Sequence, residues 1–141
     1  MKKVKHIIAA ATLLTTLISS SLFAAELVVT VDNIKEVKGS LFISIYNQEK
    51  GFDENENYLV RKKISVDKNT LTINLGDLPA GDYAIKCYQD VNDNGKIDTN
   101  GMGIPNEPYG SSGKSSYFGP PSFSDAKFAL ESNKTIQVHL K

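Results

Sequence analysis

The sequence predicts an all-β protein: a single antiparallel β-sandwich of about seven strands with one long ordered loop. Three observations carry that expectation. Apolar residues recur with period two along most of the chain after residue 25, turn residues separate these runs at short intervals, and no helical period of useful length follows the N-terminal segment. Successive side chains of a strand point to opposite faces, so alternation of this kind sets one face on a core and the other toward water.

In chain order, Leu27, Val29 and Val31 alternate with Val28, Thr30 and Asp32. Leu41, Ile43 and Ile45 alternate with Phe42, Ser44 and Tyr46, and Ile64 and Val66 close a more polar run from Leu59. Leu71, Ile73 and Leu75 follow, then Tyr83, Ile85 and Cys87, which alternate with Ala84, Lys86 and Tyr88. Phe128 and Leu130, then Ile136, Val138 and Leu140, end the chain in the same manner. Gly39 and Asp67–Asn69 supply short connections, which favour antiparallel hairpins over parallel crossovers. Leu78-Pro79-Ala80-Gly81-Asp82-Tyr83 makes a tight turn, and sandwich domains use a Tyr near a strand start to bond back to the upstream backbone.

Two stretches break the rhythm. Residues 47–58 are polar and read as a surface loop. Residues 90–124 are rich in Gly and Pro, yet hold Ile104, Tyr109, Tyr117, Phe118 and Phe123. Those apolar anchors argue for an ordered loop packed by its own side chains rather than a disordered linker.

The N-terminus is read separately. Lys2, Lys3 and Lys5 precede an apolar run from Ile7 to Leu17, and small residues lead to Ala24 and Ala25. Charged, apolar, then small is the order of a secretory signal, here residues 1–25, with cleavage after Ala24 or Ala25 and a β-sandwich domain over 26–141. The apolar run is short for a bilayer span, so no membrane span is expected after processing and the location is periplasmic or secreted. Without the three signal lysines, thirteen basic residues face sixteen acidic ones, a net charge of −3. That balance lacks the basic cluster of a nucleic-acid binder and the basic helix of a membrane-surface protein. A single Cys excludes an intramolecular disulfide, so packing or a metal must hold the fold.

The sharpest motif runs from Asp90 to Asp98. Asp90, Asn92, Asn94 and Asp98 occupy positions one, three, five and nine of an EF-hand-like calcium loop, with Gly95 at six and the Lys96 carbonyl at seven. Position twelve is Gly101 instead of the usual bidentate Glu, and Glu107 is the candidate for a further ligand. Calcium is therefore the possible cofactor, bound at roughly 10⁻⁴ to 10⁻³ M, the weak end of the range. The competing reading is a run of Asx turns in a solvated loop.

Catalytic groups are scarce. After the signal His139 is the lone His, on the face opposite Val138 and Leu140, and Cys87 shares a face with Ile85 as a buried, inert thiol. Nucleophilic catalysis needs a paired nucleophile and base, so the expected role is not enzymatic. It is an exported binding or structural accessory module whose partner is an undefined ligand or envelope protein, with the long loop as its surface. The alternatives are a small hydrolase using loop carboxylates, and an assembly or adhesion subunit that pairs by strand addition.

Leu78–Ala84, Asp90–Asp98 and Gly103-Ile104-Pro105-Asn106-Glu107-Pro108-Tyr109-Gly110, followed by Pro121, Phe123, Ala126 and Phe128, together resemble the family called domain of unknown function 2141. The resemblance covers nearly the whole chain after the signal and implies a small exported bacterial protein to which no activity is attached. Ser111 stands where that pattern leads one to expect an aromatic residue. The Leu-Pro-x-Gly-x-Tyr turn also resembles prealbumin-like sandwiches, a variant of the Ig-like architecture. Hydrolases on that scaffold use several His and an Arg, against His139 and Arg61 here.

Overall fold

The computed structural model describes residues 23–114 and 119–141. Residues 1–22 of the expected signal, together with Tyr117 and Phe118 of the expected loop anchors, lie outside the described residues. The strands are β1 (Ala24–Asp32), β2 (Ser40–Tyr46), β3 (Val60–Ser65), β4 (Leu71–Pro79), β5 (Gly81–Asp90), β6 (Tyr109–Ser111), β7 (Phe128–Leu130) and β8 (Lys134–His139). Two short helices, α1 (Glu49–Glu54) and α2 (Phe123–Ala126), lie between them. The protein is thus all-β, with two sheets: β4-β1-β8, and β3-β2-β5-β6 with β7 also paired to β5.

Alternation built these sheets as expected. Leu27, Val29, Val31 and Ile73 of the first sheet meet Leu41, Ile43, Ile45 and Ile85 of the second in one core cluster. The chain passes from one sheet to the other at Ala80, between Pro79, which pairs with Ala24, and Gly81, which pairs with Leu130. Tyr83 locks this corner: its hydroxyl donates to the Pro79 carbonyl at 2.7 Å.

Three features depart from the expectation. Pairing is not wholly antiparallel, because β1 and β8 run parallel from Leu27↔Lys134 to Asp32↔His139. The short connections do not close hairpins: Gly39 leads from β1 to β2 and Asp67–Asn69 from β3 to β4, each joining strands of different sheets, while β1 and β8 come from opposite ends of the domain and everything between them serves as the crossover. The described strands number eight rather than about seven, two of them of only three residues. Residues 47–58 are not merely a surface loop: α1 buries Gly51 and Phe52. One and a half helical turns show no readable period. Phe52 joins Tyr46, Ala84 and Ala126 in a second cluster, with Phe123 packed against it.

Cys87 is 3% exposed, and burial pushes its thiol up to about 12. Native protein should therefore resist a bulky thiol reagent until it unfolds, and Cys87→Ala should cost about 1–2 kcal/mol. Labelling kinetics in rising urea checks this, and rapid labelling without denaturant contradicts it.

Candidate functional site

The long connection after β5 is held by carboxylates. Asp90, fully buried at the strand end, accepts the Asn94 backbone N–H on Oδ1 at 3.0 Å and the Gly95 N–H on Oδ2 at 2.7 Å. Glu107, 8% exposed, accepts the Val91 N–H on Oε1 at 2.8 Å and the Asp98 N–H on Oε2 at 2.9 Å. Charge-assisted bonds of this kind are about twice as strong as neutral ones. Further along, the Asn100 side-chain oxygen accepts the N–H groups of Met102 and Ile104. Polar groups therefore order residues 91–108, and the expected apolar anchor Ile104 is exposed, as is Met102. Phe123 does act as an anchor, against Phe52 at a ring separation of 5.8 Å.

Four of the predicted calcium ligands gather, in a particular arrangement. Asn92 donates from Nδ2 to Asp98 Oδ2 at 2.7 Å, and Asn94 donates from Nδ2 to both Asp98 oxygens at 2.8 and 2.9 Å. The amide oxygens turn to the backbone instead, accepting N–H groups of Asn94 and Lys96, each at 3.1 Å. The donors on Asn94, then on Asn92, hold the Asp98 carboxyl below its ordinary range. Glu107 spends both oxygens on backbone N–H groups, and no group of three His, Cys, Asp or Glu converges among the described residues. Presenting oxygens to a cation requires both amides to rotate by half a turn, a motion open to any Asn side chain. Asp93 stands apart, accepting from the Ser40 hydroxyl at 2.6 Å.

Beneath this loop lies a cleft of about 640 Å³, a size suited to a small organic ligand. Its floor is the outer face of the second sheet, and register fixes the order of its side chains. Arg61, Ser44, Lys86 and Ser111 stand in one row across β3, β2, β5 and β6. Phe42, Tyr88 and Tyr109 stand in the next row, of which Tyr88 and Tyr109 line the cleft. Phe42 and Tyr88 stack at 5.1 Å, the Arg61 guanidinium lies 5.1 Å over Phe42, and it donates to the Tyr88 hydroxyl at 3.1 Å. Lys86 crosses the floor to donate to the Phe52 carbonyl and to Asn55 Oδ1. Burial pulls the Lys86 ammonium below its ordinary range, with Asp53 opposing.

Sequence reasoning assigned no role to this floor. Its signal was present in the outward-facing positions of two alternating strands, Phe42-Ser44-Tyr46 and Lys86-Tyr88, where solvent-facing residues are unusually large and aromatic. His139 sits among the cleft-lining residues, with Nδ1 at 2.5 Å from Asp32 Oδ1. Among the described residues no hydroxyl or thiol is hydrogen-bonded to it, and Cys87 lies in the core cluster.

A family model described as an uncharacterized protein conserved in bacteria, DUF2141, matches residues 29–138. The chain belongs to the DUF2141 family. The match runs from the middle of β1 to the end of β8, so it takes in both sheets, the sheet-switching corner and the carboxylate-clasped loop. In this DUF2141 chain the segment that reads as a calcium loop is the same one that roofs the cleft, through Gly95, Lys96 and Ile97. Comparison with curated proteins and with solved structures yields no match.

Proposed function

We propose that this DUF2141 chain is an exported, non-enzymatic binding module, a β-sandwich of prealbumin-like type that holds a small ligand between its long loop and the outer face of β3-β2-β5-β6. The single observation that carries the reading is the cleft of about 640 Å³, floored by strands and roofed by a loop that buried carboxylates tie down. A rigid floor with a loop wall is the usual construction of a binding site. The carboxylate oxygens of Asp90 and Glu107 are committed to backbone N–H groups, which suits support better than acid–base chemistry. Export follows from the order of residues 1–25, and cleavage after Ala24 retains Ala25, whose side chain is buried against the first sheet's core. A hydrolase screen of the processed protein tests the non-enzymatic role. Absence of turnover is expected, and turnover abolished by Asp90→Ala or Glu107→Ala in folded protein overturns it.

Calcium is a second reading, favoured by the convergence of Asn92 and Asn94 on Asp98 beside Asp90. Amide rotation would bring the oxygens of Asp90, Asn92, Asn94 and Asp98 together with the Lys96 carbonyl, and Glu107 would close the shell if it exchanged a backbone N–H for the ion. At millimolar Ca²⁺ and a Kd of about 10⁻⁴ M the stabilisation is about 1.4 kcal/mol, several degrees in Tm. Melting with Ca²⁺ and with chelator checks this. The shift should vanish in Asp90→Ala and survive in Asp93→Ala, and equal midpoints in the parent protein contradict it.

A further inference from the structure

We infer that the cleft takes a small organic anion, a carboxylate or phosphate monoester with a planar apolar body, its charge on the Arg61–Lys86 row and its body against Tyr88 and Tyr109. The inference deepens the binding-module reading and rests on it. The chain as a whole has a formal net charge of zero. The cleft does not share that balance: Arg61, Lys86, Lys96 and Lys141 line it, and Asp53 is the one acidic side chain among its described lining residues. Among the described residues Arg61, Lys86 and Lys96 enter no ion pair.

The two cations are also built into position. The Arg61 guanidinium lies over the Phe42 and Tyr58 rings, at 5.1 and 5.4 Å from their centroids, and is steadied by the Tyr88 hydroxyl. One such bond leaves donors of its five-donor fork for a carboxylate or phosphate. Lys86 gives two of its three N–H donors to Phe52 and Asn55, which fixes the direction of the third. Its half-buried ammonium is poorly solvated, so an anionic partner restores what burial removed. Ser44 lies between them in register, 7% exposed. The apolar row beside these donors matches an amphipathic ligand, for aromatic faces take planar groups and Arg together.

Calorimetric titration of the processed protein with four probes of one shape tests this: phenyl phosphate, benzoate, benzyl alcohol and benzylamine, with inorganic phosphate as a fifth. Phenyl phosphate or benzoate should bind, and which of the two binds more tightly separates the phosphate from the carboxylate source. Inorganic phosphate should bind more weakly than phenyl phosphate, because it lacks the planar body. Arg61→Gln, on an exposed edge strand, should weaken the anionic probe roughly tenfold, the worth of one charge-assisted hydrogen bond. Lys86→Gln should do the same, with circular dichroism showing that both variants fold. Benzylamine or benzyl alcohol binding as tightly as the anions overturns the inference while leaving a binding module. Anion affinity unchanged in both variants, or no probe bound at all, overturns it as well, whereas the module reading itself falls if the native protein carries no ligand.

Discussion

Gly39→Ala is expected to be among the most damaging single substitutions in the protein. Gly39 has φ of +71°, in the left-handed region where an L side chain is strained. The larger problem is space. A Cβ at this position would lie 2.1 Å from the Asp90 carbonyl oxygen and 2.9 Å from the Val91 Cα. Both are backbone atoms, so no side-chain rotation relieves the clash, and either β2 or the end of β5 must move. The next residue, Ser40, pairs with Asp90, and the Gly39 carbonyl accepts the Val66 N–H at 3.0 Å, so movement breaks pairing on both sides. A loss of more than about 4 kcal/mol is expected, read as a fall in the urea midpoint. Because the displaced residue is Asp90, the carboxylate that starts the long loop, ligand binding should fall with stability. A loss under about 1 kcal/mol would show that the approach of β2 to β5 is looser than this geometry.

Phe52→Ala should come next, at about 3–5 kcal/mol. The ring is fully buried, set edge-on to Tyr46 at 5.5 Å and to Phe123 at 5.8 Å. Among the described residues its cluster has three other buried members, Tyr46, Ala84 and Ala126, with Phe123 packed against it, and two of the three are alanines that fill little of the space a lost ring leaves. The effect should not stop at stability. The Lys86 ammonium lies 4.1 Å from the Phe52 ring centroid and bonds to the Phe52 carbonyl, so loss of the ring loosens the cation on the cleft floor. Phe52→Leu, which keeps most of the volume, should lose less stability while still lacking the ring face. Comparing anionic-probe affinity in the two variants separates collapse of the cluster from loss of the cation's seat. Equal, unchanged affinity in both would remove Phe52 from the account of the cleft.

The sheets were legible because a period of two is a direct image of burial. Val29 and Ile85 are fully buried where alternation put them, and the Tyr83 hydroxyl bonds to Pro79 as the Pro-x-Gly-x-Tyr turn implied. The parallel partnership of β1 and β8 was not legible, because pairing between chain ends leaves no trace in either strand's own pattern. Helix α1 escaped for a different reason. Its one deeply buried side chain, Phe52, sits among Glu49, Lys50, Asp53 and Glu54, and one apolar residue defines no face.

The candidate site divided in the same way. Asp90, Asn92, Asn94 and Asp98 do assemble, since the Gly95 turn and the short spacing fold them together locally. What spacing leaves undetermined is which end of each amide faces Asp98. Glu107, singled out as a further ligand, clasps the Val91 and Asp98 N–H groups, a contact that depends on the loop's return path. Arg61 and Lys86, 25 residues apart in number, become neighbours of Ser44 only through sheet register.

The central claim is that the processed protein is a loaded binding module in the cell envelope. Native mass spectrometry of the protein extracted from the envelope of its own bacterium tests this most directly. The account predicts a chain beginning at Ala25 or Glu26, with a non-covalent small-molecule adduct that is lost on unfolding and is acidic when released. A full-length chain recovered from the cytoplasm, or an envelope form that carries no adduct under gentle desolvation, would contradict it.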